Sequence, residues 1–451
     1  MPNVVIYMSD EHNPFFSTVY GHKGIKTPNM ARLTSMGTTF ENAYCPSPLC
    51  MPSRSAFMSG RPVHQIQVYN NCRVVNFDYP SYGSVLKSQG VYTAYIGKTH
   101  VYNHFSKLGF SEMIRPLDTE PPGDTNIVRT PLTIRKGAAS RADQYGPRKD
   151  AFSEDQCCID EAVEWLTKKA PTVGRPWTLT VNTEAPHFPH YVTQELWNMY
   201  ADNADLPKYG PKYASANHPY AKDLKAHFET NLFSEEQIRG LRRGYLGRIT
   251  WVDNALGHLI DTLEESGQVN ETVIVYTSDH GEMLGKFGMW WKCSLYEDSV
   301  CIPLIVAGPG FKKGARVKTP VTLHDLQASI FKALGKTRPD GWWGTALQDI
   351  PENDFTRPVF AEYHGHGVRS GAFMIRRGKW KLIYNMGAPH QLFDLESDPD
   401  ELDNVVETEK EIFNELVGEL RSICSLEEEN KRAHQFERKQ LNALKKSYSL
   451  I

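Results

Sequence analysis

The sequence predicts an α/β protein: a large, mostly parallel sheet flanked by helices, followed by a smaller C-terminal antiparallel-sheet subdomain. Three observations carry that expectation. Short β-branched apolar runs recur along the first 350 residues, and each leads into a polar cluster. Helical stretches lie between them, the alternation of a sheet covered on both faces. After about residue 350 the runs become shorter and alternate in polarity, which fits antiparallel strands.

Taken in chain order, "VVIYM" leads into Ser9-Asp10-Glu11-His12, and "VYTAYI" into Gly97-Lys98-Thr99-His100. "WTLTVN" leads into Thr183-Glu184-Ala185-Pro186-His187, and "TVIVYT" into Ser278-Asp279-His280-Gly281. A long helix is expected from Ser234, where Gln237 completes a capping-box pattern, to a stop at Gly267. Residues 115–150 are rich in Pro, Gly and charge. A loop of that length is functional or disordered, and its place after Lys98 and His100 favours a substrate-shaping role. "RPVFAEY", "AFMIRRGKWKLIYN" and "HQLFDL" are the predicted strands of the small subdomain. A charged helical tail follows from about Glu407 to Lys446, packed on the body or on a neighbouring subunit, so a homo-oligomer is open. The expected division is residues 1–350 for the catalytic unit and 351–451 for the subdomain and tail.

The totals narrow the function classes. The chain has 451 residues and a formal net charge of −3, which argues against nucleic acid or an anionic membrane as its main partner. No apolar run is long enough to span a bilayer. The first strand begins almost at Met1 with no signal peptide before it, so the expected location is cytoplasmic, or periplasmic if a leader was removed. Eight scattered cysteines show no zinc-like pairing and no dense disulfide pattern.

In open α/β sheets, ligands bind beyond the carboxyl ends of the strands, where all four polar clusters fall. Asp10, Asp279 and His280 are hard oxygen and imidazole donors suited to a divalent cation, although singly Asp10 reads as a helix cap and Asp279 as a turn residue. Arg54, Lys98 and Lys292 beside a metal would make a cationic site for a tetrahedral anion. His100 alternates with Lys98, and prolines flank His187 in "APHFPH". Cys50 stands before Pro52, a residue favoured at N1 of a helix, with Gly60 placed to end it. It could be a buried core residue, a thiolate nucleophile, or the precursor of something else. Neighbouring carboxylates would oppose a thiolate.

Cys50-Met51-Pro52-Ser53-Arg54 with Met58-Ser59-Gly60-Arg61 resembles the signature of the type I, formylglycine-dependent sulfatases of the alkaline phosphatase superfamily. "GKTH" at 97–100, "APHFP" at 185–189, "TSDHGEMLG" at 277–285 and "WWKCSLYEDSVCIPLIVAGPG" at 290–310 also look like blocks of that family, in order. The resemblance covers about residues 3–405. "VYNN" at 68–71 and His280 after Asp279 are most similar to the choline-sulfatase and phosphonate monoester hydrolase branch. Asp10-Glu11 departs from the Asp-Asp of many members and puts a metal role for Glu11 in question.

The resemblance implies a sulfuric ester hydrolase that cleaves a sulfate monoester of a sugar or small alcohol. Cys50 would be converted to formylglycine by a formylglycine-generating enzyme. A divalent metal, Ca²⁺ as is usual in the family or Mn²⁺ as its rival, would be held by Asp10, Asp279, His280 and residue 50. The hydrated aldehyde would attack sulfur, and His187 or Lys292 would protonate the leaving oxygen. Arg54, Lys98, Lys292 and Asn71 would hold the sulfate oxygens, and His100 would be the base that releases sulfate. The alternative on the same scaffold is a phosphonate monoester or phosphodiester hydrolase. Trp290, Trp291, Tyr191, His364, His366 and the 115–150 loop are candidates for the substrate pocket.

Overall fold

The computed structural model describes residues 1–74 and 77–448. Its centre is an eight-stranded sheet. In chain order the strands are β1 (Asn3–Asp10), β2 (Gly37–Phe40), β3 (Tyr92–Lys98), β4 (Glu112–Leu117), β5 (Trp177–Pro186), β6 (Thr272–Ser278), β7 (Leu304–Ala307) and β8 (Ala315–Val317). Their spatial order is β8-β2-β7-β6-β1-β5-β3-β4. Every pairing is parallel except those of β7. The apolar runs are continuous because both faces are covered: Val4, Val5, Ile6 and Tyr7 on the central strand are all fully buried. Since β1, β3, β5 and β6 run the same way, Asp10, Lys98, Pro186 and Ser278 all end on one edge of the sheet.

Two glycines make that edge possible. Gly97 has φ +83°, and a Cβ there would lie 2.0 Å from the Asn182 carbonyl. The register between β3 and β4 shifts at this residue, which turns Lys98 toward the sheet's end. At Gly281 a Cβ would lie 2.1 Å from the Asp298 carbonyl, so the turn after Asp279 passes against the next loop.

Helices α1 (Cys50–Ser59), α2 (Ser153–Glu164), α3 (Glu235–Glu265) and α4 (Leu323–Ala333) are among those covering the sheet. The capping box of α3 forms as expected, with Ser234 and Gln237 bonded reciprocally. Helix α1 begins two residues earlier than Pro52 at N1 would require. Leu49 is its N-cap, and Pro52 falls at the third position, where its missing N–H is one the first turn leaves unpaired anyway. Gly60 ends the helix in the left-handed region, φ +65°, as expected.

The C-terminal sheet is antiparallel: β9 (Pro358–Tyr363), β10 (Ala372–Arg377), β11 (Trp380–Asn385) and β12 (Gln391–Asp394), in sequential order. Lys381, fully buried, is held between Glu297 (2.8 Å) and Glu401 (2.7 Å), tying this sheet to the segment after Lys292. The charged tail is two helices rather than one, α5 (Lys410–Ile423) and α6 (Leu426–Tyr448). The chain becomes extended at Cys424; Leu426 at the start of α6 still joins Leu416 and Leu420 in the cluster with Phe373 and Ile375, while Ala433 and Phe436 further along α6 pack into the main core. Helix α6 lies on the body: Glu429 accepts from Tyr69 (2.6 Å), Glu437 pairs with Arg129 (2.9 Å), and Gln440 exchanges amide hydrogen bonds with Asn70. All eight cysteines are free. Among the described residues, no helix is long and apolar enough to cross a membrane.

Candidate active site

Cys50 is the first residue of α1 and is buried. Its Sγ lies 3.2 Å from His280 Nε2 and 3.9 Å from Asp10 Oδ1. Donor atoms of Asp10, Cys50, Asp279 and His280 all come within 4.8 Å of one another, so β1, β6 and α1 deliver one ligand-competent cluster. Ser53 Oγ donates to the Asp279 carbonyl (2.6 Å), fastening the helix to the end of β6. His280 lies with Nδ1 3.0 Å from the Gly281 carbonyl; an N–H there donates to it and leaves Nε2 facing the cluster. Asp279 Oδ1 accepts from the backbone N–H groups of Glu11 (3.1 Å) and His280 (2.9 Å). Two carboxylates, one imidazole and residue 50 fit a divalent cation of the oxygen-preferring class.

Arg54 donates from Nε to Asp279 (2.7 Å), from Nη2 to Asp10 (3.1 Å) and from Nη1 to Asn182 (3.0 Å). The guanidinium therefore orients both carboxylates from behind. Asn182, the last residue of "WTLTVN", completes that brace; its place at a strand end was the only sequence signal for it.

Lys98 and Lys292 line the same cavity as Cys50, and both interact with it electrostatically. Lys98 Nζ is 3.0 Å from Asp10 and 3.4 Å from Glu184. Lys292 Nζ is 2.9 Å from Glu11 and 2.6 Å from His187 Nε2. The Nδ1 of His187 bonds to the Phe188 carbonyl, so that Nε2 accepts from Lys292 while sitting 3.2 Å from Glu11. Glu11, with φ +67°, stands beside the four-residue cluster rather than in it. His100, also in the left-handed region (φ +42°), is buried with Nδ1 unpaired and faces Cys50. Such backbone strain gathers at sites where side-chain placement outweighs its cost.

The electrostatics follow from burial and crowding. Burial pushes Asp10 up, but Lys98, His187 and Arg54 hold it well below the usual carboxylate range. Burial likewise raises Glu11, and Lys292 and His187 bring it down to about 2. Asp279 ends up raised, by burial and by Asp10, despite Arg54. His280 is disfavoured as a cation by burial, yet Asp279 and Cys50 raise it to about 9. For Cys50, burial and Asp10 act upward, while Lys292, His280 and a hydrogen bond with His100 outweigh them and hold the thiol well below its ordinary value. The carboxylates therefore do not prevent a thiolate here, because the surrounding cations win.

Glu282 was missed from sequence. Its Oε1 accepts from the Leu284 and Trp291 N–H groups (both 2.7 Å), and burial with the adjacent Glu11 raises it well above the carboxylate range. It holds the proton that lets two buried carboxyl groups share one place.

These residues open into a cavity of about 340 Å³, lined among others by Cys50, Asn71, Lys98, His100, His187 and Lys292. Its size suits a small-molecule or saccharide ligand. Asn71 spends its Oδ1 on the Met51 N–H (3.0 Å), capping the first turn of α1. The 115–150 loop contributes Thr119, Gly123, Asp124, Arg135 and Arg141 to the lining. Trp291 and His366 line it as well, whereas Trp290, Tyr191 and His364 do not. Trp290 packs on Phe233 and Trp291, Tyr191 lies under Arg148, and His364 binds Glu362.

Residues 2–336 match the family described as Sulfatase, and residues 285–428 match the one described as N-sulphoglucosamine sulphohydrolase, C-terminal. The chain belongs to the sulfatase family. It is 31% identical over 427 residues to a choline-sulfatase of Rhizobium meliloti (strain 1021), covering 90% of this chain and 82% of that one. Against arylsulfatase K of Homo sapiens it is 28% identical over 485 residues, covering 99% and 86%. The phosphonate monoester hydrolase of Agrobacterium radiobacter shares the fold, with a TM-score of 0.75 at 20% identity over 95% of this chain and 96% of that one. So does a protein solved with its substrate D-glucosamine-2-N,6-O-disulfate, with a TM-score of 0.73 at 21% identity over 96% and 98%. As a sulfatase, the chain has the mostly parallel sheet and the small C-terminal sheet expected of it.

Proposed function

We propose that this sulfatase hydrolyses sulfate monoesters of a sugar or small alcohol at the Cys50 cavity, with residue 50 converted to formylglycine by a formylglycine-generating enzyme. The observation that carries this reading is the position of Cys50. It stands at the start of α1, among Asp10, Asp279 and His280, and in the same cavity as Lys98 and Lys292. Formylglycine, once hydrated, supplies one hydroxyl to attack sulfur and a second to expel sulfate. Asp10, Asp279, His280 and residue 50 would hold a divalent cation, Ca²⁺ or its rival Mn²⁺, which when bound would lower the pKa of the attacking hydroxyl.

The remaining roles belong to the chain's own side chains. Lys98 and Lys292 keep their protons because Asp10 and Glu11 raise them against burial. They offset charge on the sulfate oxygens from buried positions. Asn71 turns its amide toward the same oxygens. His187 and Lys292, 2.6 Å apart, work as one proton-delivery unit for the leaving oxygen. His100, beside residue 50, takes the proton that releases sulfate. Arg54 holds Asp10 and Asp279 in place for all of these steps.

The test is turnover of 4-nitrophenyl sulfate against a 4-nitrophenyl phosphonate monoester by modified, metal-loaded protein. Faster sulfate cleavage is expected, with Cys50→Ala lowering it by on the order of 10³-fold or more. Faster phosphonate cleavage would transfer the assignment to the phosphonate monoester hydrolases that share the fold.

A further inference from the structure

Among the described residues lining the cavity, one cation has no salt-bridge partner of its own. Arg141, on the short helical turn Ala139–Asp143 of the 115–150 loop, lines the cavity with its guanidinium over three aromatic rings. The distances to the ring centres are 5.0 Å for Phe188, 5.6 Å for Phe228 and 5.4 Å for Trp291. Among the described residues, no carboxylate or carbonyl accepts a hydrogen bond from it. The other lining cations differ. Lys98 has Asp10 and Glu184, Lys292 has Glu11, and Arg135 has Asp124 at 2.7 Å. Both lining carboxylates, Asp124 and Glu184, are thus paired elsewhere; Glu11 and Asp124 act on Arg141 only through space, with no ion pair or hydrogen bond to it. His366, the remaining titratable group on that side, is driven down to about 3 by burial and stays neutral. Burial and Arg135 lower Arg141 only to about 10, so it is charged at neutral pH.

A stacked guanidinium with unpaired donors, facing the cavity, is built to take a planar or tetrahedral anion. It also decides against a quaternary amine. The aromatic faces that would hold such a cation already carry Arg141. We propose that Arg141 is a specificity residue for a substrate whose organic part bears a second anionic group, a carboxylate or a further sulfate, and that choline sulfate is a poor substrate despite the relationship to choline-sulfatase. This rests on the sulfatase reading above.

The test uses the full, formylglycine-bearing, metal-loaded chain. The kcat/KM values are measured for positional isomers of three monosaccharide sulfates: one carrying a carboxylate, one carrying a second sulfate, and one with no other charge. Choline sulfate is measured beside them, with 4-nitrophenyl sulfate as reference. A doubly anionic sugar is expected to exceed the singly charged one by about tenfold or more, with choline sulfate lowest. The carboxylate and disulfate arms identify which anion is read. In Arg141→Gln that roughly tenfold advantage is largely lost, mainly through KM, and Arg141→Lys restores much of it. The proposal is overturned if choline sulfate or the singly charged sugar is best in the wild type. It is also overturned if Arg141→Gln slows every substrate by one factor. Absence of turnover on all substrates, 4-nitrophenyl sulfate included, would overturn the sulfatase reading itself. Turnover of 4-nitrophenyl sulfate without the charge preference would overturn this inference alone.

Discussion

At the scale of single residues, the site is a set of charge pairs arranged so that each group proposed to act on the substrate is held by a neighbour given no such role. Lys292 and His187 illustrate this: Glu11 anchors both, and Glu282 keeps Glu11 in place by carrying the spare proton. Glu282→Gln retains a donor toward Glu11 and an acceptor for the Leu284 and Trp291 N–H groups. Its kcat is expected to stay within a few-fold of wild type, whereas Glu282→Ala leaves two backbone donors unpaired and lowers the melting temperature as well. In His187→Gln, proton delivery is weakened while charge balance survives. The loss is expected to be about 10²-fold or more for an alkyl sulfate and much smaller for 4-nitrophenyl sulfate, whose leaving group needs no proton. Equal losses on both substrates would remove His187 from proton delivery. Most of these partners were legible as residue types at strand ends. The roles of Glu282 and of Asn182, the latter marked only by its strand-end position, were not, because they come from atoms that meet only after folding.

At the scale of elements, the sheet edge depends on a few backbone positions. Gly97→Ala would force a Cβ into the Asn182 carbonyl at a left-handed residue. A loss of at least about 2 kcal/mol is expected, together with reduced turnover, because Lys98 and Asn182 both shift. Thermal unfolding and 4-nitrophenyl sulfate kinetics on the same sample check both. The junction of β9 with the short helical turn Val63–Ile66, just after α1, is held by His64 and Glu362, 2.9 Å apart. Burial works against both charges, yet Glu362 is lowered to about 2 by His64, and His64 is raised by Glu362. The Glu362 share of this stability is present above about pH 4.5 and is lost as the pH falls toward 2. The His64 share is present below about pH 6.5 and is lost as the pH rises through its raised value. The melting-temperature gap between wild type and His64→Gln is therefore expected to be widest between about pH 4.5 and 6.5, corresponding to about 3 kcal/mol. A gap independent of pH would mean the pair stays uncharged. The capping box of α3 and the Gly60 stop of α1 were written in local sequence. The break between α5 and α6 was not, since the two helices dock largely on different surfaces.

At the scale of the whole molecule, the parallel strands were readable because burial on both faces demands continuous apolar runs, as in "VVIYM" and "TVIVYT". Convergence of Asp10, Lys98, His187 and Asp279 followed from strand direction. The specificity side was hidden, because Arg135 and Arg141 sit in an irregular loop whose path depends on Ile127, Ala138 and Ala142 finding burial. Removing divalent metal is expected to leave four donors crowded without their ion, so the melting temperature should fall and recover on adding back Ca²⁺ or Mn²⁺. Whichever ion restores 4-nitrophenyl sulfate turnover identifies the resident metal. The central claim concerns residue 50, and the most direct measurement is the mass of the peptide spanning 47–61 from active protein. The account predicts a residue lighter than cysteine that reacts as an aldehyde with hydrazide reagents. An unaltered Cys50 in protein that turns sulfate esters over at full rate would contradict it.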